Sequence, residues 1–504
     1  MRHYRISFAF GAAIGLTCFL TVHSRAEVGP QGNMILILVD DMGARDWSGA
    51  GNRLIETPNI DALAKDGVVF EQSYSAAAVC SPSRAALLTG RYPCRSGITD
   101  WIRPRAERPY GTQAGVFPVN YIGGPHQEVL CPPNPYNLPI SERTLADRLH
   151  GGRFVSAFIG KWHLGDEDWS PLAQGFDFNF GGCDLTRPPS YFDPYSEPGT
   201  EHSTLGDGIP GLRPRKVGQY LTDREADEAC DFIRQWKDRY FFIQLAHYGG
   251  AADREAPESL IKKYKRKGAS RRRAIHAAKM ESVDHSLGKI RDTLQEVGLA
   301  DKTLIWLTSD NGGPFVDRSG SAGQPPLRGS KGSPYEGGIR VPTIVHFPAK
   351  IAAGVSQDPI SSIDVYRTLD RFASGWNAPN PGLTLDGADL MPHLFEKLQV
   401  SVPDRSLYWH FPHYRNGVFP YSIIRRGDMK LIHFYASEEG GEKQELYDLS
   451  LDPSESNDLA SERPVLVEDL KSELMRALRL MQAQMPKPNP KFAEFQSKSK
   501  SKSK

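Results

Sequence analysis

The 504-residue chain has almost no net charge: 61 Lys and Arg stand against 60 Asp and Glu, a formal +1. No whole-molecule field therefore draws it to nucleic acid or acidic lipid, and any preference for anions has to be local. Long apolar runs are scarce. One uncharged, mostly apolar stretch, residues 6–22, follows Arg2 and Arg5 and precedes Ser24-Arg25-Ala26. This is the pattern of a secretory signal peptide over residues 1–26, and it is short for a bilayer helix of ~20 residues. No later run is long and apolar enough to span, so the chain is expected to be exported, periplasmic or secreted, with no stable membrane span after cleavage. No internal repeat of solenoid period is present. With 39% hydrophobic and 24% charged residues, 47 Gly and 38 Pro, collagen-like, coiled-coil and wholly disordered classes are excluded.

Cysteine is sparse, and odd in number once the signal segment is set aside. Of six, Cys18 falls in the signal segment, which leaves Cys80, Cys94, Cys131, Cys183 and Cys230. At least one of these thiols has no internal partner. Setting one aside leaves enough for up to two disulfides, and spacing alone does not pair them.

What is present points to an α/β fold. Met34-Ile-Leu-Ile-Leu-Val39 is an unbroken apolar run ending in Asp40-Asp41, the pattern of a buried parallel strand. Residues 154–159, 240–246 and 303–308 repeat it, ending at Gly160-Lys161-Trp162-His163, at His247 and at Ser309-Asp310-Asn311. Helical patterns lie between. The stretch Ala277, Met280, Val283, Leu287, Ile290 and Leu294 is spaced by three and four, as the buried stripe of a packed helix requires. Strands alternating with helices imply crossover connections and a doubly wound, mostly parallel sheet, whose ligands sit beyond the carboxyl ends of the strands. This large domain is assigned to residues 27–402. Residues 421–425 and 429–434 read as paired strands and 465–481 as a helix, so a smaller C-terminal α+β domain is placed at 403–490. A Lys/Ser tail at 491–504, alternating from Ser497, is expected to be disordered.

Asp40, Asp41, Asp310 and Asn311 offer only oxygen ligands from two strand ends. Such a set suits a hard divalent cation, Ca²⁺ more readily than Mg²⁺, although an Asp-Asp pair also suits a plain loop start. The more specific segment is Cys80-Ser-Pro-Ser-Arg84 followed by Leu88-Thr-Gly90. Here the chain resembles the type I, formylglycine-dependent sulfatases, in which this signature is the recognition sequence for oxidation of the Cys to formylglycine. Val39-Asp-Asp-Met42, Thr57-Pro-Asn-Ile-Asp-Ala-Leu-Ala64, Gly160-Lys-Trp-His-Leu-Gly165, Thr308-Ser-Asp-Asn-Gly-Gly313 and Gly329-Ser-Lys-Gly-Ser-Pro-Tyr-Glu-Gly-Gly338 follow in the family's order, and the similarity covers residues 34–460.

The resemblance implies an alkaline-phosphatase-like fold and sulfate-ester hydrolysis. It implies Ca²⁺ on Asp40, Asp41, Asp310 and Asn311 with modified Cys80 completing the set, Arg84 holding the formylglycine, and Lys161, His163 and Lys331 around the sulfate. It also implies a formylglycine-generating maturation enzyme as a partner. Elementary chemistry agrees, since an anionic ester needs fixed cations to neutralise its oxygens as charge moves to the leaving group. A thiolate adduct has no built-in way to break down. The hydrate of an aldehyde has one: one hydroxyl attacks, and the other loses a proton toward His163 as sulfate is ejected.

One position departs from the pattern. Where the family carries His-Tyr-x-x-His-x-Pro, this chain reads His247-Tyr-Gly-Gly-Ala251-Ala-Asp253, so the second His is Ala251. Loss of a leaving-group acid costs ~10² to 10⁴ in rate, less for phenols than for sugar alkoxides. His247 or Asp253 replaces it, Lys331 acts alone, or the chain binds sulfated glycans as a pseudo-sulfatase. A phosphodiesterase or phosphonate hydrolase of the same superfamily is the enzymatic alternative. For substrate, residues 99–102, 181–195 and 409–415 resemble blocks of bacterial sulfatases, many of which act on sulfated polysaccharides. His247, His410, His413 and Arg415, with Lys161 and Lys331, are therefore candidate contacts to a sulfated carbohydrate or aryl sulfate. Residues 262–273 hold eight Lys or Arg in twelve, first a solvated surface segment and second a dock for a polyanionic substrate.

Overall fold

A computed structural model of the chain describes residues 30–105, 108, 118–196, 209, 211–212, 216–249, 255–314, 325–375, 384–492 and 494–495. The expected signal segment 1–26, Ala251, Asp253 and the alternating Lys/Ser stretch from Ser497 lie outside these residues.

The apolar runs become strands, extended by a residue or so at their ends. The main sheet comprises β1 Asn33–Val39, β2 Val68–Phe70, β3 Phe154–Gly160, β4 Phe178–Phe180, β5 Tyr240–His247, β6 Thr303–Ser309, β7 Thr343–His346 and β8 Gly354–Ser356. Their order is β8-β2-β7-β6-β1-β5-β3-β4. The pairings are parallel except at β7, which runs against both β2 and β6. The mostly parallel sheet expected from sequence is therefore present. The strands β2, β4, β7 and β8 were not anticipated, because three or four residues are too few for a periodic pattern to register.

β1 shows how both faces are covered. Its side chains alternate, with Met34, Leu36 and Leu38 in one apolar cluster and Ile35, Ile37 and Val39 in the other. The first cluster is closed by α2 Cys80–Thr89 and α6 Asp364–Ser374, through residues such as Leu87, Leu88, Tyr366 and Leu369. The second is closed by α1 Pro58–Asp66, α3 Leu221–Gln235, α4 Glu258–Arg266 and α5 Arg271–Glu296, through Leu63, Phe232, Ile261, Met280 and Leu287. The predicted stripe of α5 is buried along its whole length.

A four-stranded antiparallel sheet follows, β9 Leu407–Phe411, β10 Tyr421–Arg426, β11 Met429–Phe434 and β12 Lys443–Asp448. Helix α7 Pro464–Leu480 lays Val467, Leu470, Leu474 and Leu478 on Ile424, Leu431 and Leu446. Lys430 of β11 reaches Glu336 at 3.0 Å and Glu455 at 2.7 Å, all three buried, and so ties this sheet to the loop that carries Lys331.

One open possibility is closed and one expectation is corrected. Cys80, Cys94, Cys131, Cys183 and Cys230 are all free thiols, so neither allowed disulfide forms. Lys491, Phe492, Glu494 and Phe495 are helical rather than part of a disordered tail, in a segment anchored by Asn489 Nδ2 donating to the carbonyls of Gly124 and Gln127.

Candidate active site

Register brings the site together. Val39 pairs with both His247 and Ser309, and Gly160 pairs with Ala246, so β1, β3, β5 and β6 end level. The residues just beyond them, Asp40, Asp41, Lys161, His163, Asp310 and Asn311, emerge on one edge, and all six are buried. Asp41 (φ 57) and His163 (φ 58) hold left-handed backbone conformations that non-glycine residues adopt at a cost, as residues fixed by function often do.

Helix α2 supplies the rest. Cys80 is its first residue, where the helix dipole is positive, and Arg84 lies one turn on along the same face. The Arg84 guanidinium donates to Asp310 Oδ2 at 2.8 and 2.9 Å, to Asp40 Oδ1 at 3.2 Å and to the Lys161 carbonyl at 2.6 Å. One buried arginine therefore stitches three strand ends to the helix that carries Cys80.

Three carboxylates and the Cys80 sulfur offer ligand atoms within 4.8 Å of one another. Lys161 Nζ lies 2.6 Å from Asp40 Oδ1 and 3.5 Å from Cys80 Sγ. Lys331 Nζ lies 2.5 Å from Asp41 Oδ1 and 3.1 Å from Cys80 Sγ. Burial pushes the Asp40 carboxyl up, but Lys161, Lys331 and Arg84 outweigh it and hold it well below the ordinary range. Asp310 goes the other way, to about 6, through burial and the Asp40 charge beside it. Burial opposes the charge on Lys331, yet Asp41, Cys80 and Asp40 keep the ammonium firmly protonated. Asn311 donates its amide to Asp41 Oδ1 at 2.8 Å, while its own Oδ1 is buried without a partner. An orphaned amide oxygen among crowded carboxylates is the donor set of a hard divalent cation, so the residues present fit Ca²⁺.

Burial raises the Cys80 thiol to about 11 despite the two lysines, which leaves it protonated and a weak nucleophile at neutral pH. His163 donates from Nε2 to the Ile102 carbonyl at 2.8 Å, because a carbonyl only accepts. Its Nδ1 therefore bears a lone pair, buried and unpartnered. Burial and then the Lys161 charge push this imidazole well below its usual pKa, so it stays neutral and basic at Nδ1.

The cleft over these groups measures about 290 Å³, and its floor is Asp40, Asp41, Cys80, Lys161, His163 and Lys331. Trp101, Thr186, Arg187 and Arg415 form the walls, with Arg415 3.6 Å from Asp100. Trp101, Thr186 and Arg187 were not singled out from sequence, though they lie in the stretches 99–102 and 181–195; their types alone carry no site signal.

Three expected contacts do not face the cleft. His247 is fully buried, with Nδ1 2.6 Å from Glu225 and Nε2 3.0 Å from Ser286. His410 is held between Ser422 and the Gln484 carbonyl. His413 bonds Thr99 at 2.8 Å and packs on Phe411. Burial lowers the last two to about 4 and about 3, so both are neutral packing groups.

The chain matches the family Sulfatase over residues 32–374 and the family N-sulphoglucosamine sulphohydrolase, C-terminal, over residues 330–484. It is 33% identical to N-acetylgalactosamine-6-sulfatase of Homo sapiens over 398 residues, 75% of this chain and 68% of that one. It is 30% identical to arylsulfatase A of Homo sapiens over 500 residues, 90% and 88% of the two chains. Among solved structures, Ps i-CgsB in complex with k-i-k-neocarrahexaose superposes with a TM-score of 0.70 at 28% identity, covering 89% of this chain and 92% of that one.

Proposed function

Since the chain belongs to the sulfatase family of the alkaline phosphatase superfamily, and is thereby a sulfuric ester hydrolase, we propose that it cleaves sulfated carbohydrate through a formylglycine made from Cys80, with Ca²⁺ held by Asp40, Asp41, Asp310 and Asn311. The observation that carries this is the position of Cys80: at the positive end of α2, between two lysines, yet with a thiol that burial keeps protonated. A thiol so placed is poorly suited to attack, whereas the hydrate of an aldehyde there supplies both an attacking hydroxyl and a second through which sulfate departs. Ca²⁺ on the oxygen cluster supplies further neutralisation of the ester's charge.

The chain's own groups have separable tasks. Lys161 and Lys331 face the Cys80 side chain and pair with sulfate oxygens as charge shifts to the leaving oxygen. His163 accepts a proton at Nδ1 while Nε2, fixed on Ile102, holds the tautomer. Arg84 keeps Asp40, Asp310 and α2 in register. Trp101 offers a face for a sugar ring, and Arg187 and Arg415 offer charge at the rim.

Carbohydrate as substrate is supported by the names of the relatives, N-acetylgalactosamine-6-sulfatase and a structure holding a neocarrahexaose, and by the aromatic-and-arginine wall. A maturation enzyme and export, periplasmic or secreted, belong to the same reading. The sequence change at Ala251 favours one further reading, a glycan-binding pseudo-sulfatase, because the fixed pairing of His247 removes it as a substitute acid. Sulfate release is measured on matched sulfate and phosphate esters and on sulfated oligosaccharides, with Ca²⁺ present. Release from the sugar sulfates above the phosphate rates is expected; faster phosphate turnover, or binding without release, overturns the proposal.

A further inference from the structure

The basic stretch at residues 262–273 folds into the end of α4 and the first turn of α5. Two of its eight cations have structural work. Lys263 bridges Glu281 at 2.7 Å and also pairs with Glu56, and Lys267 pairs with Glu56. The other six, Lys262, Lys265, Arg266, Arg271, Arg272 and Arg273, are exposed, and among the described residues none has a carboxylate partner.

Three of these oppose the fold's own electrostatics. Arg271, Arg272 and Arg273 fill the first turn of α5, which has no acidic residue, at the end where the helix dipole is already positive. Cations there destabilise a helix, and the usual choice is Asp or Glu. A local choice that works against folding, with no compensating carboxylate among the described residues, marks a functional demand. On a chain of net charge +1, the result is one concentrated positive surface.

Its location says what it serves. Helix α5 begins at the carboxyl edge of the sheet: His276 Nε2 lies 2.8 Å from Asp46, in the loop that leaves Asp40. Lys279 Nζ stands 3.9 Å over the ring of Tyr191, in the segment that carries the cleft residue Arg187. The surface and the catalytic cleft thus share one edge of the molecule.

We infer that this surface docks the sulfated polysaccharide chain whose ester enters the cleft, an inference that rests on the proposed reaction for its choice of polymer. Charge complementarity carries it: a linear polysulfate presents anions at regular spacing, and six exposed cations on two adjoining turns, without a carboxylate partner among the described residues, match it where a single small sulfate would not engage them.

The test is the triple variant Arg271→Gln, Arg272→Gln, Arg273→Gln, which keeps good helix formers, beside Lys262→Gln, Lys265→Gln, Arg266→Gln on α4. Thermal unfolding no lower than that of the unaltered protein, with a small rise for the arginine variant, and unchanged kcat and KM on a small aryl sulfate establish that fold and cleft are intact. At low salt, binding of dextran sulfate is expected to weaken about tenfold in each variant, with KM for a sulfated polymer rising in step and the difference vanishing at high salt. Unaltered dextran sulfate binding in both variants overturns the inference. Equal loss of binding to double-stranded DNA or to anionic lipid vesicles also overturns it, since the surface is then a generic anion patch. Polymer binding that needs these arginines, in protein that releases no sulfate from any ester, upholds docking and overturns only the reaction.

Discussion

Nε2 of His163 lies 2.8 Å from the Ile102 carbonyl oxygen, and that one hydrogen bond decides which ring nitrogen is left to act. Nδ1, buried and unpartnered, is the only basic atom of the ring open to a proton. Replacement by Ala is expected to lower kcat by ~10² to 10⁴ with little change in KM. Burial, joined by Lys161, disfavours the imidazolium. The acid limb due to His163 should therefore lie well below pH 6.5, which a pH profile of kcat/KM checks; a limb centred at 6.5 or above contradicts the assignment.

Asn311 tests the cation site with least damage, because Asp310 is committed to Arg84 and its removal strands a buried guanidinium. Ca²⁺ at about 100 times its Kd is expected to stabilise the folded protein by ~2.7 kcal/mol. Asn311→Ala, which removes the orphaned Oδ1, should shrink that shift in Tm, and chelation should abolish activity in the unaltered protein.

The Lys430 ion cluster should show in stability rather than catalysis. Lys430→Met takes the shared ammonium from buried Glu336 and Glu455 and leaves Glu336 the Arg340 guanidinium at 3.6 Å, a loss of ~3 kcal/mol or more by denaturant unfolding. Burial, helped by the Glu336 charge and opposed by Lys430, raises Glu455 from 4.5 to about 7. The folded protein therefore keeps a proton that the unfolded chain has lost over that window. Its contribution to stability is full below pH 4.5 and is lost as pH rises through 7. Glu455→Gln should flatten this part of the stability curve.

Trp101 and Arg415, in the wall of the cleft, should distinguish sugar from aryl substrates. Trp101→Ala and Arg415→Ala are each expected to raise KM for a sulfated oligosaccharide by about tenfold, through a lost stacking or charged contact. The KM for a small aryl sulfate should move far less. Equal effects on both would place these side chains in the general architecture of the cleft.

The cluster at and beneath the cleft floor was legible in the sequence because strand ends and a contiguous signature carry it: Asp40, Asp41, Cys80, Lys161, His163, Asp310, Asn311 and Lys331 all come from short strings and lie together in the fold. Arg84 was legible as a site residue, but its grip on Asp40, Asp310 and the Lys161 carbonyl depends on strand order, which no string encodes. The histidines misled because residue type was read without burial. His247, His410 and His413 have the chemistry of contacts, yet the fold spends their nitrogens on Glu225, Ser286, Ser422 and Thr99. The thiols were left open by the sequence: four cysteines permit up to two disulfides, and only the fold shows that Cys80, Cys94, Cys131, Cys183 and Cys230 are all free.

On the proposed reaction, Cys80 acts only after conversion to formylglycine. The most direct test is sulfate release from a sulfated oligosaccharide by calcium-loaded protein made with and without a maturation enzyme, with the mass at position 80 determined in each sample and Cys80→Ala as the blank. Release in proportion to the converted fraction is expected, and none from the unconverted thiol, which burial holds protonated. Equal release from unconverted protein, or none from fully converted protein, would contradict it.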